Sequence, residues 1–358
     1  MTRLKHPSSD SPFRDFRVGP GRALRATAVF DTYWRFAAAR QNLFMRRVAG
    51  KQPPWTDDPV LGTHRFTNAY RATDRVSQYL IRHVLYEGVQ QCEDVFFRAL
   101  LFKFFNRIET WETLGSSIGA VSWSKFRFER YARVLDDALA KGNSIYSAAY
   151  IMPSPGFGHA RKHRNHLQLL EHMIRDGAPK RVAGARSLRE VFEILRSYPS
   201  LGDFLAFQFA IDLNYSTLID FPEMEFVVAG PGARDGIRKC FSDTGGLSDS
   251  EVIRFMTERA GIEFNRLGLD FPTLWGRPLQ LIDCQNLFCE VDKYARVVHP
   301  DIKGGSGRTR IKQKFAPNPN SLPQWYPPKW GLNVPSAPKS PAATLTVSQA
   351  RQYTMAAL

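Results

Sequence analysis

The chain has 358 residues, of which 43% are hydrophobic and 26 are Phe, enough to bury a sizeable core. Its 49 Lys and Arg against 34 acids give a formal net charge of +15 and a pI near 9.8. Such an excess steers polyanions to the surface and does nothing for compactness, so nucleic acid is the first partner implied. An anionic membrane is set well behind, because no helix pairs a clean Lys/Arg face with Trp and Leu. No stretch approaches the ~20 apolar residues of a membrane span. The N-terminus, MTRLKHPSSDSPFRDFR, has charge but no apolar core of a signal peptide. The expectation is a soluble, cytoplasmic, monomeric protein. Cys92, Cys240, Cys284 and Cys289 include no C-x-x-C pair, so they read as free thiols and not as zinc ligands.

In chain order, residues 1–22 read as a basic N-terminal arm and residues 23–302 as a helical body. Helices are expected over 23–49 and 68–88. Residues 92–112 are apolar on nearly every side up to Phe105, as befits a helix in the middle of a bundle. Helical spacing continues over 124–141, and residues 145–152 (IYSAAYIM) are the best short strand candidate. Helices follow over 160–176, 187–197, 203–213, 233–241, 249–266 and 278–296, with Ser187 and Glu190 spaced as a capping box. Residues 303–334 form a basic, aromatic wrapping segment, and 335–358 read as a disordered tail. The fold class is therefore all-α.

Six constellations are candidates for chemistry. The first is a Gly-rich loop entering a helix, with His159, Arg161, Lys162, His163, Arg164 and His166 at its start. A helix dipole disfavours cations there, so a bound phosphate would explain them. The plainer alternative is a solvated basic helix end. The second is the turn Ser197-Tyr198-Pro199-Ser200-Leu201-Gly202 between two apolar-faced helices. It looks like the helix-hairpin-helix of DNA-repair glycosylases, whose N–H groups grip a DNA phosphate through positions such as Gly202. Phe204 stands where some of those enzymes carry a catalytic Lys, against a Schiff-base lyase. An ordinary helix–helix turn is equally compatible.

The third holds Asp220 and Glu225, candidate general bases, and then Gly230 and Gly232 before Arg234, Arg238 and Lys239, a second possible phosphate nest. A G-x-G turn is often only a turn. The fourth is the helix with Asp283, Asn286, Glu290 and Lys293 within an arc of about 80°. It is either a solvated face or the wall of a cleft. The fifth is Asn106 and Arg107 at the end of the apolar helix, where an amide can cap a neighbour or read a flipped pyrimidine. The sixth is the segment from Lys303 to Lys329, with six basic residues and no acid. There Arg308, Arg310, Lys312 and Lys314 suit DNA phosphates, and the aromatics either stack on DNA or anchor the segment to the body. No G-x-x-x-x-G-K-[ST] phosphate loop occurs, which argues against a P-loop kinase.

The strings FFNRIETWE, IYSAAYIMPSPGFGHARKHRNHL, SYPSLGDFLAFQFAIDLNYS, DFPEMEFVVAGPGARDGIRKCF and GRPLQLIDCQNLFCEVDKYARV resemble the alpha-glutamyl/putrescinyl thymine pyrophosphorylase (amino acid:DNA transferase) family. They also resemble the helical domain of 5-hydroxymethyluracil DNA kinases. The resemblance spans residues ~90–330 and implies a helix-hairpin-helix, glycosylase-like bundle. It implies bacteriophage or bacterial hypermodification of thymine. An amine or amino acid such as glycine would replace the (pyro)phosphate of a 5-(pyro)phosphomethyluracil flipped from double-stranded DNA.

In that chemistry the Gly156–His166 segment would hold the departing phosphate. Asp220, Glu225, Asp283 or Glu290 would take the ammonium proton, and Asn106 or Asn286 would read the uracil. Cys284 could add to the ring, although a buried structural thiol is the plainer role. The reaction needs no metal and no organic cofactor. A 5-hydroxymethyluracil DNA kinase, a non-catalytic DNA-binding protein and a base-excising glycosylase are the alternatives.

Overall fold

A computed structural model describes residues 14–148, 151–316 and 324–335. Among these residues there are thirteen α-helices and a small three-stranded sheet, so the fold is mainly helical, as the spacing of apolar residues implies. The strands are β1 (Asp15–Gly19), β2 (Arg22–Ala26) and β3 (Phe241–Asp243), antiparallel in the order β1-β2-β3, with Phe16 opposite Leu24 and Ala26 opposite Phe241. The helices are α1 (Ala28–Val48), α2 (Pro59–Thr63), α3 (Arg75–Tyr79), α4 (Cys92–Phe105), α5 (Ile108–Ile118), α6 (Phe128–Ala140) and α7 (Lys162–Arg175). They continue as α8 (Ala178–Ala183), α9 (Leu188–Arg196), α10 (Asp203–Asn214), α11 (Pro231–Cys240), α12 (Asp249–Arg266) and α13 (Leu281–Val298).

Three expectations are corrected. The end of the predicted N-terminal arm is a β-hairpin joined at Gly21, whose φ of 68° only glycine takes easily. With only five residues each, and Arg17, Arg22 and Arg25 among them, DFRVG and RALRA carry little strand signal in the sequence. The predicted first helix accordingly begins at Ala28, capped by the Thr27 hydroxyl, which accepts from the N–H of Val29 at 3.1 Å. In the predicted strand 145–152, the described residues form irregular chain, pinned where Ser147 N–H donates to the Phe105 carbonyl at 2.8 Å. Residues 1–13, 149–150, 317–323 of the predicted wrapping segment, and all of the predicted tail 335–358 except Pro335 lie outside the described residues.

Two helices, α4 and α10, are buried on all sides. From Asp94 to Phe105 and from Leu205 to Asn214 every residue is buried, consistent with their apolar sequences. They pack on each other, and α4 also meets α7 and α8. A second group sets α13 against α1, α11 and α12. Helices α11 and α13 approach closely. A Cβ on Gly236 would lie 2.1 Å from the Phe288 carbonyl oxygen, and one on Gly232 would lie 3.1 Å from Cys289 Sγ. The chain from Arg65 to Leu80 runs between the two groups and forms one wall of the site.

Candidate functional site

A cavity of about 990 Å³ opens between the groups. Its walls are the segment from Arg65 to Leu80, Lys103 and Asn106 at the end of α4, Phe204 in the first turn of α10, and one face of α13 bearing Asn286, Glu290, Lys293 and Arg296. Residues 307–313 of the basic segment cross its mouth. Nine basic side chains line it against two acids, Asp74 and Glu290, so the cavity favours an anion.

The floor is a buried ionic knot. Asp212 of α10 takes Arg71 Nη1 at 2.8 Å and Lys103 Nζ at 3.1 Å, with Lys103 5% and Asp212 1% exposed. Burial pushes the Asp212 carboxyl up, but the two cations outweigh it and hold it below the usual range. Lys103 also donates to Asn106 Oδ1 at 3.0 Å, and Arg71 Nε donates to Gln208 Oε1 at 3.1 Å. Asn106 caps α4 in the left-handed region, at φ 47°. These residues fix the floor. The sequence signal for them is Lys103 among the apolar residues Leu100–Phe105 and Asp212 after Phe209-Ala210-Ile211, since buried charges persist only when paired.

The wall carries the acids. Asp74 precedes α3 but does not cap it; its carboxylate accepts from the N–H of Asn68 at 2.9 Å. Burial pushes this carboxyl up to about 7, Glu290 reinforces the rise, and the Asn68 N–H, Arg40 and Arg71 oppose it. Sequence reasoning missed Asp74, because an Asp before a short helix reads as a cap. Glu290 accepts from the N–H of Thr67 at 3.0 Å and pairs with Lys293 at 2.6 Å. Asn286 Nδ2 donates to Thr67 Oγ1 at 2.9 Å. The polar arc of α13 therefore faces the cavity through Asn286, Glu290 and Lys293. Asp283, at the start of α13, instead accepts from Arg71 N–H at 2.7 Å and Gln280 N–H at 3.0 Å. Its carboxyl is pushed up to about 6 by burial and faces these amides.

The mouth is unneutralised. Arg65, Arg308, Arg310 and Lys312 are exposed, and no carboxylate of the described residues pairs with them. The strap is fixed at both ends: Ser306 N–H donates to Asp235 at 3.1 Å, Lys314 bridges His64, and Arg65 N–H donates to the Gln313 carbonyl at 3.1 Å. Between them Arg296 holds the Arg310 carbonyl at 2.9 Å. Lys314 lies beyond the cavity. The aromatics are anchors: Trp325 packs on Tyr86, and Trp330 packs on Tyr215 beneath Arg277.

Other predicted residues lie elsewhere. The basic start of α7 is neutralised from within. Asp136 of α6 takes Arg164 at 2.8 Å, Arg161 at 3.2 Å and His163 at 3.0 Å, and Glu129 takes Arg164 at 3.2 Å. The anion called for at that helix start is thus a carboxylate of the protein. His166 is buried between the Tyr146 hydroxyl at 2.7 Å and the Pro153 carbonyl at 2.8 Å, and Lys162 lies over the Tyr146 ring. His159 stacks on Phe128. None of the six lines the cavity.

Glu225 caps α9 by accepting from the N–H groups of Leu188 at 2.8 Å and Arg189 at 3.1 Å. Asp220 is exposed beside Lys329 at 3.6 Å, and Arg107 pairs with Glu109 at 3.3 Å. Gly230 is required by packing and not by a phosphate, since a Cβ there would lie 2.5 Å from the Phe204 ring; Gly232 and Gly236 admit α13 in the same way. Lys239 is buried against Asp292 at 2.8 Å, which removes it from any DNA surface. Arg234 pairs with Asp249 at 3.3 Å, and Arg238 is exposed beside Asp235. Gly202 is the N-cap of α10, after a turn in which Tyr198 and Leu201 are buried and Ser200 adopts φ 66°. Cys284 is fully buried and its thiol is pushed up to about 12 by burial, a poor nucleophile.

The family model described as 5-hmdU DNA kinase, helical domain, matches residues 27–304. The chain belongs to this family. A relative described as a 5-hmdU DNA kinase, from Bacillus phage SP10, is 30% identical over 286 residues, 74% of this chain and 45% of the relative. The chain thus spans less than half the length of that relative. No solved structure matches. The family's span begins with α1, well before the strings at ~90–330 that carried the resemblance. It includes the knot, Asp74 and the α13 face, and it ends before Arg308, Arg310 and Lys312. No helix among the described residues is long and apolar enough to cross a membrane.

Proposed function

We propose that the chain binds double-stranded DNA across the basic strap and modifies a 5-substituted uracil turned out of the duplex into the cavity. The reaction proposed is amino acid transfer to a 5-(pyro)phosphomethyluracil. The amine nitrogen bonds to the methylene carbon, the C–O bond breaks, and (pyro)phosphate leaves with the electron pair. Arg65 and the strap cations neutralise the departing group. Asp74 takes the ammonium proton, for which a carboxyl near neutrality is suited. Asn286 and Asn106 are the amides within reach of a base, and Phe66 and Phe204 are the apolar surfaces beside it. The turn before Gly202, exposed at Ser197 and Pro199, serves as a second backbone contact.

The observation that carries this reading is the coincidence, in one cavity, of cations at the mouth that no described carboxylate pairs with and a near-neutral carboxyl on the wall. The test is nucleoside mass spectrometry after incubating 5-phosphomethyl- and 5-pyrophosphomethyluracil duplexes with the protein and amino acids. A nucleoside gaining the amine, and lost in Asp74→Asn, is expected. Unmodified nucleosides with intact duplex binding would contradict it.

Two observations favour a second reading, a 5-hydroxymethyluracil DNA kinase: the description of the family model and the name of the phage relative. The chain itself contains no G-x-x-x-x-G-K-[ST] loop for a nucleotide. Adding ATP to 5-hydroxymethyluracil DNA separates the readings, since only the kinase adds a phosphoryl mass.

A further inference from the structure

We infer that Arg40, which does not line the cavity, is a positioning residue that aims both cavity carboxylates through the tripeptide Phe66-Thr67-Asn68. The inference rests on the cavity being the site of chemistry. Arg40 projects from α1 and is buried. Its Nε donates to the Thr67 carbonyl at 3.0 Å, and its Nη2 donates to the Phe66 carbonyl at 3.3 Å and to Asn68 Oδ1 at 2.6 Å. One planar fork therefore grips two consecutive carbonyls.

Each carbonyl shares a rigid peptide plane with the next N–H. Fixing the Phe66 carbonyl fixes the Thr67 N–H, which donates to Glu290 at 3.0 Å. Fixing the Thr67 carbonyl fixes the Asn68 N–H, which donates to Asp74 at 2.9 Å. The guanidinium thus sets the two donors that aim the two acids, from the opposite side of the tripeptide. A residue that served only to fill space would not need both carbonyls.

The charged groups around Asp74 are Arg40, Arg71 and Glu290, with Arg75 its neighbour in the chain. Without the fork, Asp74 loses a fixed N–H donor and a nearby cation, both of which favour its charged form. Its titration must then move upward from about 7.

The test uses the full chain, with Arg40→Met removing the donors and Arg40→Lys keeping the charge without the fork. Carboxyl titrations by carbon-13 NMR, duplex affinity and turnover are measured on both. In Arg40→Met the Asp74 midpoint should rise, duplex affinity should stay within about twofold, and turnover should fall about 100-fold at similar KM, as for a misplaced catalytic group. Arg40→Lys should lie between. Folded Arg40→Met with an unmoved Asp74 titration, or with turnover and affinity falling together, overturns the inference. If Arg40→Met does not fold, Arg40→Lys gives the same readings. A wild-type protein without turnover refutes the proposed reaction alone, and the titrations then decide the role of Arg40.

Discussion

Replacing Arg308, Arg310 and Lys312 together by alanine removes three exposed cations at the cavity mouth that no described carboxylate neutralises. Each phosphate contact releases counterions and adds about 0.9 to the slope of log affinity against log salt. If each cation meets one phosphate, the slope falls by about 2.7. Between about 50 and about 200 mM salt, the wild-type affinity should then drop ~40-fold further than that of the variant. The assay is fluorescence anisotropy of a labelled duplex across a salt series. The paired control is Arg161→Ala with Arg164→Ala, because Asp136 and Glu129 already neutralise those side chains. An unchanged slope in the triple variant, or an equal change in the control, would refute placing DNA over the strap.

Four further outcomes are expected. Gly236→Ala, whose Cβ would sit 2.1 Å from the Phe288 carbonyl oxygen, should cost about 3 kcal/mol or abolish folding, read by urea denaturation. Lys239→Met should cost about 3 kcal/mol, because it leaves the buried Asp292 short of a partner, without altering the salt slope. Burial holds His166 neutral down to about 4, from an unfolded value near 6.5. Its contribution is complete above pH ~6.5 and is lost as pH falls toward ~4, worth about 3 kcal/mol, so His166→Gln should flatten the acid side of the stability curve. Asp74 acting as a base should make turnover rise with pH through about 7, and Asp74→Asn should abolish that limb, read by initial rates.

Much of the helical scaffold was legible because apolar residues recur at helical spacing, and the all-apolar stretch ending at Phe105 marked a central helix. The polar arc of α13 was legible as geometry, but sequence alone could not tell a cleft wall from a solvated face. Only the opposing segment from Arg65 to Leu80 makes it a wall. The basic start of α7 shows the converse. The physical reasoning that an anion must offset its cations holds, but Asp136, more than twenty residues earlier, supplies it. Such compensation is long-range and leaves no local signature. The glycines of the Gly230-Pro231-Gly232 turn had the same ambiguity, and here helix packing needs them. Asp74 stayed hidden because its role depends on Asn68, Arg40 and Glu290 converging in space.

The proposed reaction takes place in this cavity, beside Asp74. The most direct measurement is nucleoside mass spectrometry of a 5-pyrophosphomethyluracil duplex after incubation with wild-type protein or Asp74→Asn and an amino acid mixture. An amine-bearing nucleoside is expected with wild type, and intact starting nucleoside with a variant that still binds the duplex. Equal product from both proteins would place the chemistry elsewhere, and no product from either would contradict the transfer reaction.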